Sequence, residues 1–293
     1  MDQDLDLRRL RYFVAVAEEL HFGRAAGRLH IAQPALSRQM RALEDDLGVR
    51  LFRRDRRGTE LTAAGAQLLQ DAPRLLAASA AVARAAVAAA ADTPTFTIGF
   101  MPGITVTPAV RAMTGRHPGL EIRLLRTGWH DQAEVLHDGR ADVGIVRLPL
   151  DQRGLRVRPL FSEPRVVALP ADHPLARRPA VAVADLAGEH LLQDPDAVPE
   201  WRDVAVELRE GGRAGVPPIH SVEEKLELVA AGAGVCVIPL STAGFYTRAD
   251  VVVRPVTDIA PGRVCLAWSA GRSSSLTTDF AEAAELLVPP EAD

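Results

Sequence analysis

Six consecutive residues, Gln33-Pro34-Ala35-Leu36-Ser37-Arg38, carry side chains suited to reading a nucleic-acid duplex. Glutamine pairs bidentately with adenine, arginine with guanine, and an alanine methyl packs on thymine. Ser37 is the right size for a phosphate or a base edge. Arg24 and Arg41 flank this stretch, and Arg54, Arg56, Arg57 and Thr62 follow it, all of types that bind the phosphate backbone. Catalytic chemistry has no comparable concentration. The sequence holds no GxSxG, HExxH, P-loop or CxxC motif, His117 and His173 each precede proline, and no histidines show metal-ligand spacing. A protein without catalytic residues, metal or cofactor is expected.

These side chains need a helix to present them. Residues 6–20 place Leu7, Leu10, Phe13 or Val14, Ala17 and Leu20 on one helical stripe, with Asp6 as N-cap. A short second helix follows in GRAAGRLH, with Ala25, Ala26 and Leu29 facing inward. Pro34 then stands at the first position of a third helix, where its missing N–H costs nothing, and Gly48 ends it. Met40 and Leu43 turn to the core. Two short helices across a tight connection, the second opening on exposed polar groups, describe a helix-turn-helix. RLFRRDRRGTELT reads as two strands around a basic turn, a wing. The alternative is a small helical domain whose arginines form a solvated face.

Charge agrees with a polyanion partner. Between Leu7 and Glu60 twelve arginines meet seven carboxylates, a balance of +5 in a chain of net charge −4, so the remainder sums to −9. Lys225 is the single lysine, a bias that the base composition of the gene explains as readily as phosphate binding does.

FGRAAGRLHIAQPALSRQMRALEDDLGVRLFRRDRRGTELTAAG resembles the DNA-binding signature of LysR-type transcriptional regulators in the Ala-Ala pair, QPALSRQ, the LE before LG, LFRR and LTAAG. The likeness runs through about forty-five consecutive residues. It implies a sequence-specific regulator that binds a double-stranded DNA operator. The family usually carries Ser or Thr where Gly23 and Ala32 stand, at positions that cap helices and touch phosphates. Glycine is an acceptable cap and alanine is not, so weaker backbone contacts are expected there.

From Thr62 to about Ala91 the pattern is one long helix. Its seam at 61, 65, 68, 72, 75, 79, 82 and 86 alternates large and small residues, and Pro73 is expected to kink it. The plain alternative is an exposed, alanine-rich linker. The resemblance implies an antiparallel homodimer contact through Leu61, Leu68, Ala72, Leu75 and Val82, and a homotetramer overall. RNA polymerase is expected as a further partner.

From Thr95 strands alternate with helices. TFTIGFM, LEIRLLR and ADVGIVR form one set of strands, RVVALP, HLLQ, PPIHS and GVCVIP a second, and RVCLAWS returns. Helical stretches run from Thr105 to Arg116, from Trp129 to His137, through PEWRDVAVELREGG, through VEEKLELVAAG and through LTTDFAEAAELL. Such alternation predicts parallel sheets covered by helices on both faces. The order resembles the family's effector domain, built like a type 2 periplasmic binding protein from two Rossmann-like subdomains. The expected α/β multidomain fold is a winged helix-turn-helix over 1–61, a linker helix over 62–92 and an effector domain over 93–293. Subdomain I comprises 93–161 and 266–293, and subdomain II 162–265.

Ligands bind such units beyond the carboxyl ends of strands. That places Pro102, Gly103, Ile104 and Thr105, then Trp129 and Arg147, on the cleft from one side. Gln193, His220, Ser221, Val222 and Pro239 face them from the other. The resemblance puts Arg147 where members responding to small aromatic acids carry a ligand-binding arginine, so a carboxylate or aromatic acid is the expected small-molecule effector. A salt bridge to a neighbouring acid is the alternative. Trp129 floors the pocket or caps surface, and His220 is either a ligand contact or a strand-end donor.

The 293 residues, 47% hydrophobic and 25% charged, suit a globular multidomain protein. No basic segment leads into an apolar core at the start, and the alanine run at 75–91 is broken by Arg84, so a cytoplasmic location is expected. Cys236 and Cys265 sit in apolar runs as small hydrophobes. They do not reproduce the cysteine pair that peroxide sensors of this family carry in the second subdomain. A solute-binding protein for transport would want a signal peptide, and an enzyme would want a catalytic constellation; neither is legible.

Overall fold

The computed structural model describes residues 4–55, 58–211, 219 and 221–289, and the chain divides into two compact units. The N-terminal unit holds α1 (Leu7–Glu19), α2 (Phe22–Arg28), α3 (Gln33–Leu47), the antiparallel pair β1 (Phe52–Asp55) and β2 (Gly58–Leu61), and α4 (Ala63–Ala89). Leu10, Phe13 and Val16 from α1 meet Leu36, Met40 and Leu43 from α3 in one buried cluster. Phe52 joins it, with ring centroids 5.5 Å from Phe13 and 5.7 Å from Phe22. The 3.6-residue apolar spacing of α1 and α3 is thereby spent on a shared core.

Helix ends show how the sequence places α3. Asp6 caps α1 by accepting from the N–H groups of Arg8 and Arg9. The cap of α2 is His21, whose Nδ1 accepts from Gly23 and Arg24 at 3.1 Å each, so Gly23 lies inside the helix and not at its cap. Ala32 precedes α3 and offers no side-chain acceptor. Buried Glu44 ties the far half of α3 to the wing: its carboxylate accepts from the N–H groups of Leu51 (2.8 Å) and Phe52 (3.2 Å) and from Arg50 (2.8 Å). Burial pushes its pKa up, but these donors outweigh burial and hold it below the usual glutamate range.

The linker helix departs from the expected seam. Leu61, Leu68 and Ala72 pack on the chain's own N-terminal core, while Leu75 and Val82 are exposed, the latter by 72%. Gly65 is the reason. A Cβ there would stand 2.2 Å from the carbonyl oxygen of Leu51, so only glycine lets α4 close on the wing. Thr62 fixes the entry, donating its hydroxyl to the Arg50 carbonyl (2.7 Å) and accepting from the Gly65 N–H (3.0 Å). The α-helix continues through Pro73. By length and hydropathy alone α4 would pass for a membrane span, but its front half is committed to this core.

The second unit begins with β3 (Thr95–Phe100), α5 (Thr107–Arg116), β4 (Glu121–Arg126), α6 (Glu134–His137), β5 (Val143–Arg147), β6 (Leu155–Glu163) and β7 (Arg165–Pro170). It continues with α7 (Pro199–Arg202), α8 (Val206–Arg209), α9 (Val222–Ala230), β8 (Cys236–Pro239), α10 (Leu240–Phe245), β9 (Val251–Pro255), β10 (Gly262–Ser269) and α11 (Ser275–Ala283). A five-stranded sheet has the order β4-β3-β5-β10-β6, and a three-stranded sheet the order β8-β7-β9.

Wholly parallel sheets do not form. Among the described strands only β3 has parallel neighbours, β4 and β5; β10 is antiparallel to β5 and β6, and both neighbours of β7 are antiparallel to it. The outgoing strand β6 and the returning strand β10 pair with each other, and a chain that leaves and re-enters by adjacent strands must run them in opposite directions. Both β6 to Glu163 and β10 from Gly262 belong to the first sheet, a few residues beyond the expected crossings at 161 and 266. HLLQ contributes one parallel bridge, Leu191 to Val235, instead of a strand. In PPIHS, Pro217, Pro218 and His220 lie outside the described residues. The stretch from Trp129 is helical only from Glu134, and PEWRDVAVELREGG is split into α7 and α8.

Helices do cover both faces of the first sheet. Along β10, Val264 and Leu266 join Phe96, Ile98 and Phe280 on one side, and Cys265 and Ala267 join Val135 and Leu136 on the other. Cys236 and Cys265 are free and buried in different sheets; burial raises both thiols, that of Cys236 to about 12.

Two outcomes are expected for the N-terminal unit. Gly65→Ala should lower its stability by about 1–3 kcal/mol, read as an earlier urea midpoint by circular dichroism; an unchanged midpoint means α4 is not seated on Leu51. The depressed pKa of Glu44 contributes stability above its unfolded value that is lost as pH falls through its folded one. Acid titration of the wild type should therefore destabilise the unit through and below the ordinary glutamate range, with a shallower pH dependence in Glu44→Gln.

Candidate nucleic-acid interface and effector cleft

At the front of α3, Gln33, Pro34 and Arg38 are exposed, with Ala35 and Ser37 half-buried beside them. The inward positions Leu36, Met40 and Leu43 turn these residues outward. Because Ala32 has no side-chain acceptor, no side chain claims the first-turn N–H groups, which suits a phosphate.

Four arginines of this unit are already neutralised by neighbouring carboxylates. Arg9 pairs with Asp46, Arg24 with Glu19 (3.0 Å), Arg28 with Glu18 (2.6 Å) and Arg50 with Glu44. Arg38 and Arg41 are exposed and have no ion-pair partner among the described residues. Of the other expected phosphate contacts, exposed Arg24 is paired with Glu19, and Thr62 caps α4 through its hydroxyl. Arg56 and Arg57 lie outside the described residues, and of Arg54 only the backbone is described, in β1.

Within the second unit, the carboxyl ends of β3, β4 and β5 face β7, β8 and α9 across a cleft of about 950 Å³. Pro102, Trp129, Arg147, Gln193, Ser221, Val222 and Pro239 line it as expected. Gly103, Ile104 and Thr105 do not. Ile104 is buried in the core of the first sheet. Gly103, at φ +82, presses on α10 so closely that a Cβ would lie 2.6 Å from Thr242 Cα. His220 lies outside the described residues. Two expected contacts already have structural work: the Gln193 side chain accepts from the Val237 N–H (2.9 Å), and Ser221 caps α9 through the Glu224 N–H (3.0 Å).

Arg147 takes the alternative reading. It is 4% exposed, and its guanidinium donates to Glu163 (2.7 Å), to the Ser241 hydroxyl (2.9 Å) and to the Pro102 carbonyl (3.1 Å). The other oxygen of Glu163 accepts from the Ser241 N–H at 3.0 Å. Burial pulls the guanidinium below the arginine range, and Glu163 opposes it. One pair thus joins the end of β5, the end of β6, the loop after β3 and α10. Its Nε has no partner among the described residues.

Sequence reasoning missed Arg126, Arg165, Lys225 and Arg263 on the lining. Arg126, at the end of β4, forks onto Glu223 of α9 at 3.1–3.2 Å and reaches the Tyr246 hydroxyl at 2.9 Å. Its position at a strand end was the available signal. Arg165 pairs with Glu200.

Breaking one partner of a buried pair leaves an uncompensated charge, so Arg147→Met or Glu163→Leu alone should cost about 3–5 kcal/mol of effector-unit stability. The double variant Arg147→Met/Glu163→Leu should recover most of that loss in urea unfolding; additive losses would show that the two side chains act separately.

Comparisons with known proteins agree with this geometry. Residues 7–66 match the bacterial regulatory helix-turn-helix model of the lysR family, and residues 89–286 match the LysR substrate binding domain. The Hca operon transcriptional activator HcaR of Escherichia coli is 36% identical over 284 residues, covering 94% of this chain and 96% of its own. Full-length BenM, a regulator of Acinetobacter baylyi, has a solved structure 30% identical to this chain, with a TM-score of 0.51 and coverage of 97% and 96%. A hydrogen-peroxide-bound OxyR variant of Corynebacterium glutamicum is 29% identical, with a TM-score of 0.53 and coverage of 97% and 91%. The chain belongs to the LysR family and is a sequence-specific, DNA-binding transcriptional regulator, not an enzyme.

Proposed function

We propose that a small carboxylate, aromatic acids among them, binds between the two effector subdomains and changes how the regulator occupies its operator. The observation that carries this reading is the cation-lined cleft between two sheets in a chain whose N-terminal unit presents a reading helix. The chain works as three segments, a winged helix-turn-helix over 1–61, a linker helix over 62–92 and an effector domain over 93–293. Leu75 and Val82, a heptad apart and exposed on α4, supply the homodimer contact, and two dimers form a homotetramer. The regulator acts in the cytoplasm, where it meets operator DNA and RNA polymerase.

Effector control requires different affinities for two states of the cleft. Arg126 and Glu223, paired across its mouth, come from opposite subdomains and re-form or part as it closes or opens. Thiol sensing is disfavoured, because both cysteines are buried with raised pKa values in separate sheets.

A gel-shift titration against the upstream intergenic DNA tests the reading. A sequence-selective complex that weakens steeply with salt is expected. Arg38→Ala should cost about 1–3 kcal/mol of specific binding and relax discrimination against scrambled DNA; unchanged discrimination removes Arg38 from the reading set.

A further inference from the structure

The chain uses arginine for 33 of its 34 Lys and Arg side chains. The exception, Lys225, lies on the effector cleft. It stands one turn into α9, on the same face as Ser221 and Val222, which also line the cleft. The other cations there divide simply. Arg126, Arg147 and Arg165 are held by Glu223, Glu163 and Glu200, and Arg263 is exposed at strand β10. Lys225 is half-buried, and no carboxylate among the described residues comes within ion-pair distance of its ammonium. Glu223, two residues earlier on the same helix, is committed to Arg126. Cys236, in the core beside α9, is held neutral by burial, and burial likewise pulls the Lys225 ammonium below the lysine range.

A cation taken part-way out of water without a partner costs free energy that an incoming anion offsets. Lysine suits that task better than arginine. It delivers one compact charge on a flexible stem, whereas a guanidinium fork engages the neighbouring carboxylates bidentately, as Arg126 does with Glu223. Around it Leu192, Ile238 and Val222 give the cleft apolar walls, with Trp129 on the opposite side.

We propose that Lys225 is the residue that reads the effector's charge: its ammonium pairs with the single carboxylate of a small organic acid whose apolar body lies along the cleft. Arg147, expected from the sequence to do this, lines the same cleft but is already paired with Glu163. The inference rests on the cleft being the effector site.

A sole lysine makes the test direct. Reductive methylation with ¹³C-formaldehyde of the full-length protein labels only Lys225 and the terminal amine and keeps the charge. Benzoate, cinnamate and succinate are added as probes, with benzamide as the uncharged match of benzoate. At least one acid should shift the Lys225 resonance and raise its titration midpoint, benzamide should do neither, and Lys225→Met should weaken that acid's binding about tenfold, with partial rescue in Lys225→Arg. The proposal is overturned if none of the three acids moves the resonance, or if an acid that alters the operator complex binds Lys225→Met as tightly as wild type. If instead the gel shift shows no selective operator complex at all, the underlying reading fails, and the resonance data are then judged as ligand binding alone.

Discussion

The effector unit depends on one buried ion pair. Arg147 and Glu163 are both nearly sealed from water and tie further segments to their pair: Arg147 donates to the Pro102 carbonyl after β3 and to the Ser241 hydroxyl of α10, and Glu163 accepts from the Ser241 N–H. Desolvating two charges is expensive, and their attraction repays it only while the geometry holds. The pair therefore punishes small displacements of four segments at once. It fixes the floor of the cleft and leaves the walls, where Arg126 and Glu223 meet at the half-exposed mouth, as the part that can move at low cost.

The N-terminal unit solves an opposite problem. It must carry surplus positive charge without flying apart, and it does so by local neutralisation. Glu18, Glu19, Glu44 and Asp46 each take an arginine, so that Arg38 and Arg41 stand as open cations on α3. Counting charges along the chain shows a basic domain; only the ion pairs show which cations are available to DNA. Pair formation is set by tertiary neighbours such as Arg9 and Asp46, thirty-seven residues apart, which no local pattern specifies.

The same divide separates what the sequence discloses from what it hides. Apolar spacing and cap chemistry placed α1 and α3, and inward Met40 and Leu43, because helix periodicity and caps are local. The cap at His21 escaped, since histidine is a rare acceptor in that role and Gly23 distracted from it. Strand direction escaped too: β-branched runs say that β7 and β8 are strands, but their antiparallel pairing follows from where the chain re-enters the sheet. In the cleft, strand ends identified Pro102, Trp129 and Arg147, whereas the loop residues Gly103 and Ile104 turned inward to meet α10 and the core. The engagement of Arg147 by Glu163 spans two strands, and no spacing rule reveals it.

The tie between Gly65 and the Leu51 carbonyl has a mechanical consequence. Glu44 fastens α3 to the backbone of Leu51, and Leu51 in turn is fastened to the front of α4, so reading helix and linker helix turn as one piece. At 1.5 Å per residue, the 27 residues of α4 form an arm about 40 Å long. A tilt of about 5° at its far end sweeps the near end through roughly 3.5 Å, about one base-pair step of B-DNA. A side chain as small as hydrogen at position 65 thus sets the gearing: angular change at one end of the arm becomes register along the duplex at the other.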